Sequence, residues 1–112
     1  MGLYNRLRTA VGSCAACGYD GERVFQFKFA DCRLNDYHVG DELVWNTNLV
    51  GERGHQRVFV AGFPERCPRC AAEDPGLYEI CIERNRLSSV YQVSSEGSDL
   101  ALFGPKGYRV EG

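Results

Sequence analysis

The sequence is poor in long apolar runs. Its first thirteen residues contain no unbroken apolar stretch, and no segment approaches the roughly twenty residues of a membrane-spanning helix. The start also departs from the myristoylation pattern, because Arg6 stands where Ser or Thr is required. We therefore expect no export signal, no membrane partner and a cytoplasmic location.

Groups for catalysis are also scarce. Histidine occurs only twice, as His38 and His55, and neither is spaced with a thiol or carboxylate in a way that suggests a dyad. No Gly-rich phosphate loop is present. The acidic residues of one loop lack the spacing of a calcium motif and are interpreted as solvated turn residues: Asp31, Asp36, Asp41 and Glu42. The sequence predicts a protein that is not an enzyme.

Positive charge is too limited for a general nucleic-acid surface. The net charge is −2 with neutral histidines, whereas nucleic-acid binding calls for a basic footprint. Eleven of the thirteen basic residues are Arg, which suits directed contacts to carboxylate or phosphate. The sequence favours another protein as partner, with these arginines as contact points: Arg53, Arg57, Arg84 and Arg86.

Alternating side chains predict a mainly β fold with little helix. The clearest strand places Phe25, Phe27 and Phe29 on one face. We interpret this stripe as core rather than as a base-stacking platform, since aromatic residues are usually buried. A single helical turn is predicted over residues 71–74. The predicted strands are residues 7–11, 24–29, 43–45, 57–63, 78–82 and 87–93, and a turn at Arg84-Asn85-Arg86 joins the last two as a hairpin.

The cysteines form the strongest motif. Two CxxC pairs, Cys14/Cys17 and Cys67/Cys70, are separated by 49 residues (18–66), and each pair lies in the turn of a predicted hairpin. Two such turns can complete the tetrahedron of sulfur ligands that Zn²⁺ prefers. Gly18 follows the first pair, where positive φ is often needed, but Ala71 follows the second. If the predicted helical turn begins at Ala71, this position does not need the positive φ that favours glycine.

Three alternatives to zinc remain for these four cysteines. A sulfur tetrahedron also holds iron. A redox dithiol would place its first cysteine at a helix N-terminus, but Cys17 is followed by Gly-Tyr-Asp-Gly and a strand. A disulfide framework requires export, which the sequence does not predict. One structural Zn²⁺ per chain is the favoured interpretation.

The two CxxC pairs resemble those of the zinc-ribbon superfamily, in its two-knuckle Cys₄ version with a long β insertion. They are also similar to the β-tent group, which includes Yippee-type domains, the cereblon ligand-binding domain and methionine-R-sulfoxide reductases. The resemblance covers Cys14 to Cys70 and rests on the cysteines. It implies an antiparallel sheet with two zinc knuckles, and it implies a function only weakly.

The reductase resemblance implies a nucleophilic cysteine on a strand after the second pair, where Cys81 is the candidate. Cys81 alternates with Glu79 and Glu83, whose negative charge would raise its pKa. We therefore interpret Cys81 as an inert strand thiol, and the isolated Cys32 as packed or free.

The predicted organisation is a zinc-binding β domain over residues 1–93 and a tail over residues 94–112. The tail is expected either as a small hairpin packed on the same domain, formed by residues 100–103 and 108–110, or as a disordered segment. The favoured function is a non-catalytic protein-interaction module of the adaptor, immunity or regulatory type. The alternatives are a nucleic-acid-associated zinc ribbon of a transcription or translation accessory protein and a thiol enzyme using Cys81.

Overall fold

A computed structural model describes residues 4–47, 49–94, 103 and 107–111. This part of the chain is mainly β, as predicted. Its main sheet has the strand order β4-β1-β2-β6-β7-β8, and β9 pairs with β6; β3 and β5 form a separate pair. The strands are β1 (Asn5–Thr9), β2 (Arg23–Phe27), β3 (Ala30–Asp31), β4 (Asp36–His38), β5 (Leu49–Val50), β6 (Arg57–Pro64), β7 (Leu77–Glu83), β8 (Arg86–Ser94) and β9 (Tyr108–Glu111).

Three antiparallel hairpins supply most of the sheet. Strands β1 and β2 flank the first cysteine pair, and β6 and β7 flank the second, so both predicted knuckle hairpins are confirmed. The third hairpin joins β7 to β8 through Arg84 and Asn85, both with positive φ. Two positive-φ residues are typical of the type I′ turn, whose twist matches that of paired strands.

The two knuckle hairpins meet along a short seam between β2 and β6. Only two residue pairs form its register, Phe25 with Pro64 and Gln26 with Phe63. Five pairs join β1 to β2 and six join β6 to β7. The seam is therefore the weakest link in the backbone pairing of the main sheet.

A double hydrogen bond reinforces this seam. Arg6 donates from Nε and Nη2 to the two carboxylate oxygens of Glu65, each at 2.9 Å. Gln26 donates to the same carboxylate at 3.1 Å. These hydrogen bonds, the one from Arg6 above all, lower the pKa of Glu65. Such bidentate pairs fix geometry as well as supply energy.

Apolar side chains cover both faces of the β6–β7 region. The larger cluster contains the predicted stripe, because Phe25, Phe27 and Phe29 are at most 1% exposed. Tyr78, Ile80 and Ile82 of β7 point into the same cluster. Leu77 and Cys81 point to the opposite face, with Phe59, Ala61 and Phe103. This follows from the alternation of side chains along a strand.

Several local predictions are wrong. Residues 43–45 form no strand. The N–H of Leu43 instead donates one hydrogen bond to the carbonyl of Asn85, and the carbonyl of Val44 accepts one from the N–H of Asp31. Asp31 is not a solvated turn residue, since it is 2% exposed. The sheet is mixed rather than wholly antiparallel, because β4 runs parallel to β1.

The tail contributes one strand to the sheet. Its last strand, β9, pairs antiparallel with β6 over Arg57 to Val60. The proposed hairpin partner, residues 100–103, lies outside the described residues except for Phe103, which is buried. Within the described ranges, no helix is long and apolar enough to cross a membrane.

Candidate metal centre

The first knuckle is a tight turn that presents Cys14 and Cys17 on one side. The N–H of Gly18 donates to the carbonyl of Cys14 at 2.8 Å, and the N–H of Cys14 donates to the carbonyl of Tyr19 at 2.8 Å. Gly18 has a φ of 77°, in the left-handed region that glycine adopts at no steric cost. The position of Gly18 thus fixes the direction in which the chain leaves the turn.

The second knuckle repeats this geometry. The N–H of Ala71 donates to the carbonyl of Cys67 at 2.9 Å, and the N–H of Cys67 donates to the carbonyl of Ala72 at 3.0 Å. Ala71 has a φ of 61°, so it occupies the conformation of Gly18 with a side chain attached. The helical turn predicted over residues 71–74 is therefore wrong, because the knuckle imposes left-handed backbone where a helix would begin.

The two knuckles bring all four sulfurs together. Cys14 Sγ lies 3.7 Å from Cys70 Sγ, and Cys17 Sγ lies 3.7 Å from Cys67 Sγ. All four Sγ atoms lie within 4.8 Å of one another. A tetrahedron with Zn–S bonds near 2.3 Å has S–S edges of about 3.8 Å. The predicted ligand set thus has the spacing of a tetrahedral metal site.

Backbone N–H groups favour thiolate at part of this cluster. A hydrogen bond from the N–H of Cys70 lowers the pKa of Cys67 to about 6. The N–H groups of Cys17 and Ala16 lower the pKa of Cys14. At Cys17 the N–H of Tyr19 acts in the same direction, but burial and the neighbouring thiols outweigh it and raise the pKa to about 12. Since thiolate is the metal-binding form, these turns are suited to a divalent cation.

An ion pair between the buried Arg23 and the half-buried Asp74 lies beside the cysteine cluster. Arg23, 5% exposed, donates from Nη2 to Asp74 Oδ2 at 2.6 Å. The hydroxyl of Tyr78 and the N–H of Gly76 also donate to this carboxylate, at 2.7 and 2.8 Å. The guanidinium carbon lies 5.5 Å from the ring centre of Phe25 and 5.8 Å from that of Tyr78. The pair joins β2 to the segment that follows the second knuckle.

Burial alone would raise the pKa of Asp74, but the hydrogen bonds from Arg23, Tyr78 and Gly76 outweigh it and lower the pKa. Asp74 is therefore held as a carboxylate. Sequence reasoning missed this pair, since Arg23 and Asp74 lie 51 residues apart. The only local signal was the Asp-Pro-Gly run at residues 74–76, which is typical of a turn.

The remaining cysteines lie elsewhere in the fold. Cys81 is 6% exposed and Cys32 is 2% exposed. Burial raises the pKa of both thiols, and at Cys81 the charge of Glu83 raises it further. Negative charge on the flanking glutamates therefore raises the pKa of Cys81, as predicted. In the described part of the chain, the four knuckle cysteines are the only group of three or more His, Cys, Asp or Glu side chains that lie close enough to bind one metal ion together.

The four arginines predicted to contact a partner are all exposed. Two of them lie close to glutamates, and the other two lie in a turn and in a loop. Arg57 lies 3.1 Å from Glu111 and 3.9 Å from Glu83, and Arg86 lies 3.3 Å from Glu42. Arg84 is in the β7–β8 turn, and Arg53 is in the loop before β6. Their role in binding stays a prediction.

Comparisons of the chain with protein-family models, with curated proteins and with solved structures found no match. The function is therefore inferred from the geometry of the cysteine cluster and of the sheet around it.

Proposed function

We propose that Cys14, Cys17, Cys67 and Cys70 bind one Zn²⁺ whose role is structural. The sulfur spacing across two matching knuckles is the observation that supports this most strongly. Four cysteine ligands are typical of closed structural zinc sites, whereas a catalytic zinc keeps one position for water or substrate. Iron fits the same four sulfur donors, and metal analysis of the purified chain distinguishes it from zinc.

The position of the cluster explains why the domain would need a metal. The ion would join two hairpins whose strands share only two residue pairs. It would also close a loop of about fifty residues, since Cys17 and Cys67 are 50 positions apart. Cross-links that close long loops remove much entropy from the unfolded chain. Structural zinc can supply on the order of 10 kcal/mol of apparent binding free energy at neutral pH.

The domain itself would act as a non-catalytic protein-interaction module. Cys81 and Cys32 are buried thiols with raised pKa values, which is unfavourable for a nucleophile. Strand β8 offers a docking edge: residues 40–42 meet its outer side at Arg86 and Leu87, and no other described strand pairs there. From Ser88 to Tyr91 this strand has no charge and no proline, which are two of the usual protections of an edge.

Metal content and circular dichroism of the purified chain test the zinc proposal. We expect one zinc per chain and loss of the β signal when a strong chelator removes it. A folded chain without bound metal would contradict the proposal.

Affinity capture from the native host tests the interaction role. A lysine at position 89 should block strand addition at β8, so a partner held by the wild type should be lost in Ser89→Lys. Asn46→Lys adds the same charge at an exposed residue that is not part of β8, and this variant should keep the partner. Recovery of no specific partner, or equal binding by both variants, would count against this docking edge.

A further inference from the structure

The four sulfurs of the metal centre differ in their access to solvent. Cys70 is exposed, Cys14 and Cys17 are both half-buried, and Cys67 is only 5% exposed. The contact between Cys70 and Cys14 is the more exposed of the two sulfur contacts, and the contact between Cys17 and Cys67 is the more buried. A reagent arriving from solvent would therefore meet Cys70 first, with Cys14 as its nearest sulfur.

Both 3.7 Å sulfur contacts join cysteines of different knuckles. A disulfide requires about 2.05 Å between the sulfurs, so Cys14 and Cys70 need an approach of about 1.7 Å. Exposed turns such as residues 68–71 can move this far without disturbing packed side chains. A Cys14–Cys70 bond would link the β1–β2 hairpin to the β6–β7 hairpin.

We propose that Cys70 and Cys14 form an oxidation site, at which peroxide converts the metal link between the knuckles into a disulfide. This inference rests on the proposed zinc occupancy. The thiolate of Cys70 attacks one oxygen of hydrogen peroxide, the O–O bond breaks, and a sulfenic acid forms as hydroxide leaves. The thiolate of Cys14 then attacks this sulfur and displaces the second hydroxide. The two sulfurs lose two electrons, the peroxide gains them, and two protons complete two waters.

Zinc leaves because two of its four ligands are consumed. Cys17 and Cys67 stay reduced, so a thiol reductant and added zinc restore the original site. The covalent bond closes a loop of almost the same length as the metal does, since Cys14 and Cys70 are 56 positions apart. Oxidation would thus release zinc while the two hairpins remain connected.

The test treats the full zinc-loaded chain with hydrogen peroxide, follows zinc release with a chromogenic chelator and maps disulfides by mass spectrometry. We expect one zinc released per disulfide formed, a peptide pair linked through Cys14 and Cys70, and a retained β signal in circular dichroism. The buried Cys32 and Cys81 serve as internal controls and should remain reduced.

Other products would overturn the proposal. Disulfides within each knuckle, joining Cys14 to Cys17 or Cys67 to Cys70, would contradict the inter-knuckle assignment. Earlier oxidation of Cys32 or Cys81, or loss of the β signal with the disulfide formed, would also contradict it. Zinc content measured before peroxide is added separates the two proposals: a metal-free starting protein counts against the zinc site, whereas the wrong disulfides count only against this oxidation site.

Discussion

Individual residues set the shape of the two knuckles. Gly18 and Ala71 occupy the same position in the two turns, and their φ values are 77° and 61°. A side chain in this region costs about 1–2 kcal/mol, which glycine avoids. The second knuckle therefore carries backbone strain that the first does not.

This difference predicts opposite effects for two exchanges. Ala71→Gly should raise the free energy of unfolding by about 0.5–1 kcal/mol, since relief of strain exceeds the added entropy of the unfolded chain. Gly18→Ala should lower it by a similar amount, and no atom lies within 4 Å of the added Cβ to complicate the result. Denaturation at one fixed zinc concentration measures both. Destabilisation by Ala71→Gly would contradict the proposed strain.

The Arg23–Asp74 pair gives a second prediction at this scale. Asp74→Asn should lower the free energy of unfolding by about 3 kcal/mol, because it leaves the charge of Arg23 buried without its partner. Tyr78→Phe removes one hydrogen bond to the same carboxylate and should cost about 1 kcal/mol. Thermal unfolding of the zinc-loaded variants provides the comparison. Equal effects of the two exchanges would show that the ion pair is not the main support.

At the scale of elements, β9 is attached to the sheet through a buried carboxylate. Glu79 on β7 is 3% exposed, and Arg109 on β9 reaches it at 2.5 Å. The guanidinium carbon of Arg109 lies 4.5 Å from the ring centre of Phe59. Tyr91 on β8 donates to the same carboxylate. Three strands therefore share one charged group on this face of the sheet.

Alkaline titration tests this arrangement. Burial and the hydrogen bond to Glu79 raise the pKa of Tyr91 from 10.0 to about 12. Because the folded-state pKa is the higher one, the stability from Tyr91 is complete below pH 10 and is lost as the pH rises towards 12. Burial also raises the pKa values of Tyr37 and Tyr78, so several tyrosines contribute to the late part of the tyrosinate absorbance. One step near pH 12 should be missing in Tyr91→Phe. A Tyr91 that titrates near pH 10 would contradict the prediction.

The elements that the sequence predicted are those with local signals. The CxxC turns, the alternation of β2 and the Arg84–Asn85 turn each lie within a few residues, and the structure contains all three. Missed features depend on distant partners. The parallel pairing of β4 with β1 follows from tertiary contacts, and so does the burial of Asp31. Ala71 was misread because alanine favours helix locally, whereas the knuckle requires positive φ.

At the scale of the whole molecule, the proposed metal centre would hold two hairpins together. The β2–β6 seam has two residue pairs, a backbone hydrogen bond from Glu65 to Val24, one bidentate contact from Arg6 to Glu65 and the Arg23–Asp74 pair. A domain of 112 residues has little stability to spare. Removal of the metal should therefore separate the hairpins, expose the core that they share and abolish the β signal.

X-ray absorption at the zinc edge, recorded on the purified full chain, identifies the atoms that surround the metal. We expect zinc surrounded by four sulfur atoms at about 2.3 Å. Absence of zinc from the folded chain, or nitrogen or oxygen neighbours at about 2.0–2.1 Å in place of sulfur, would contradict it.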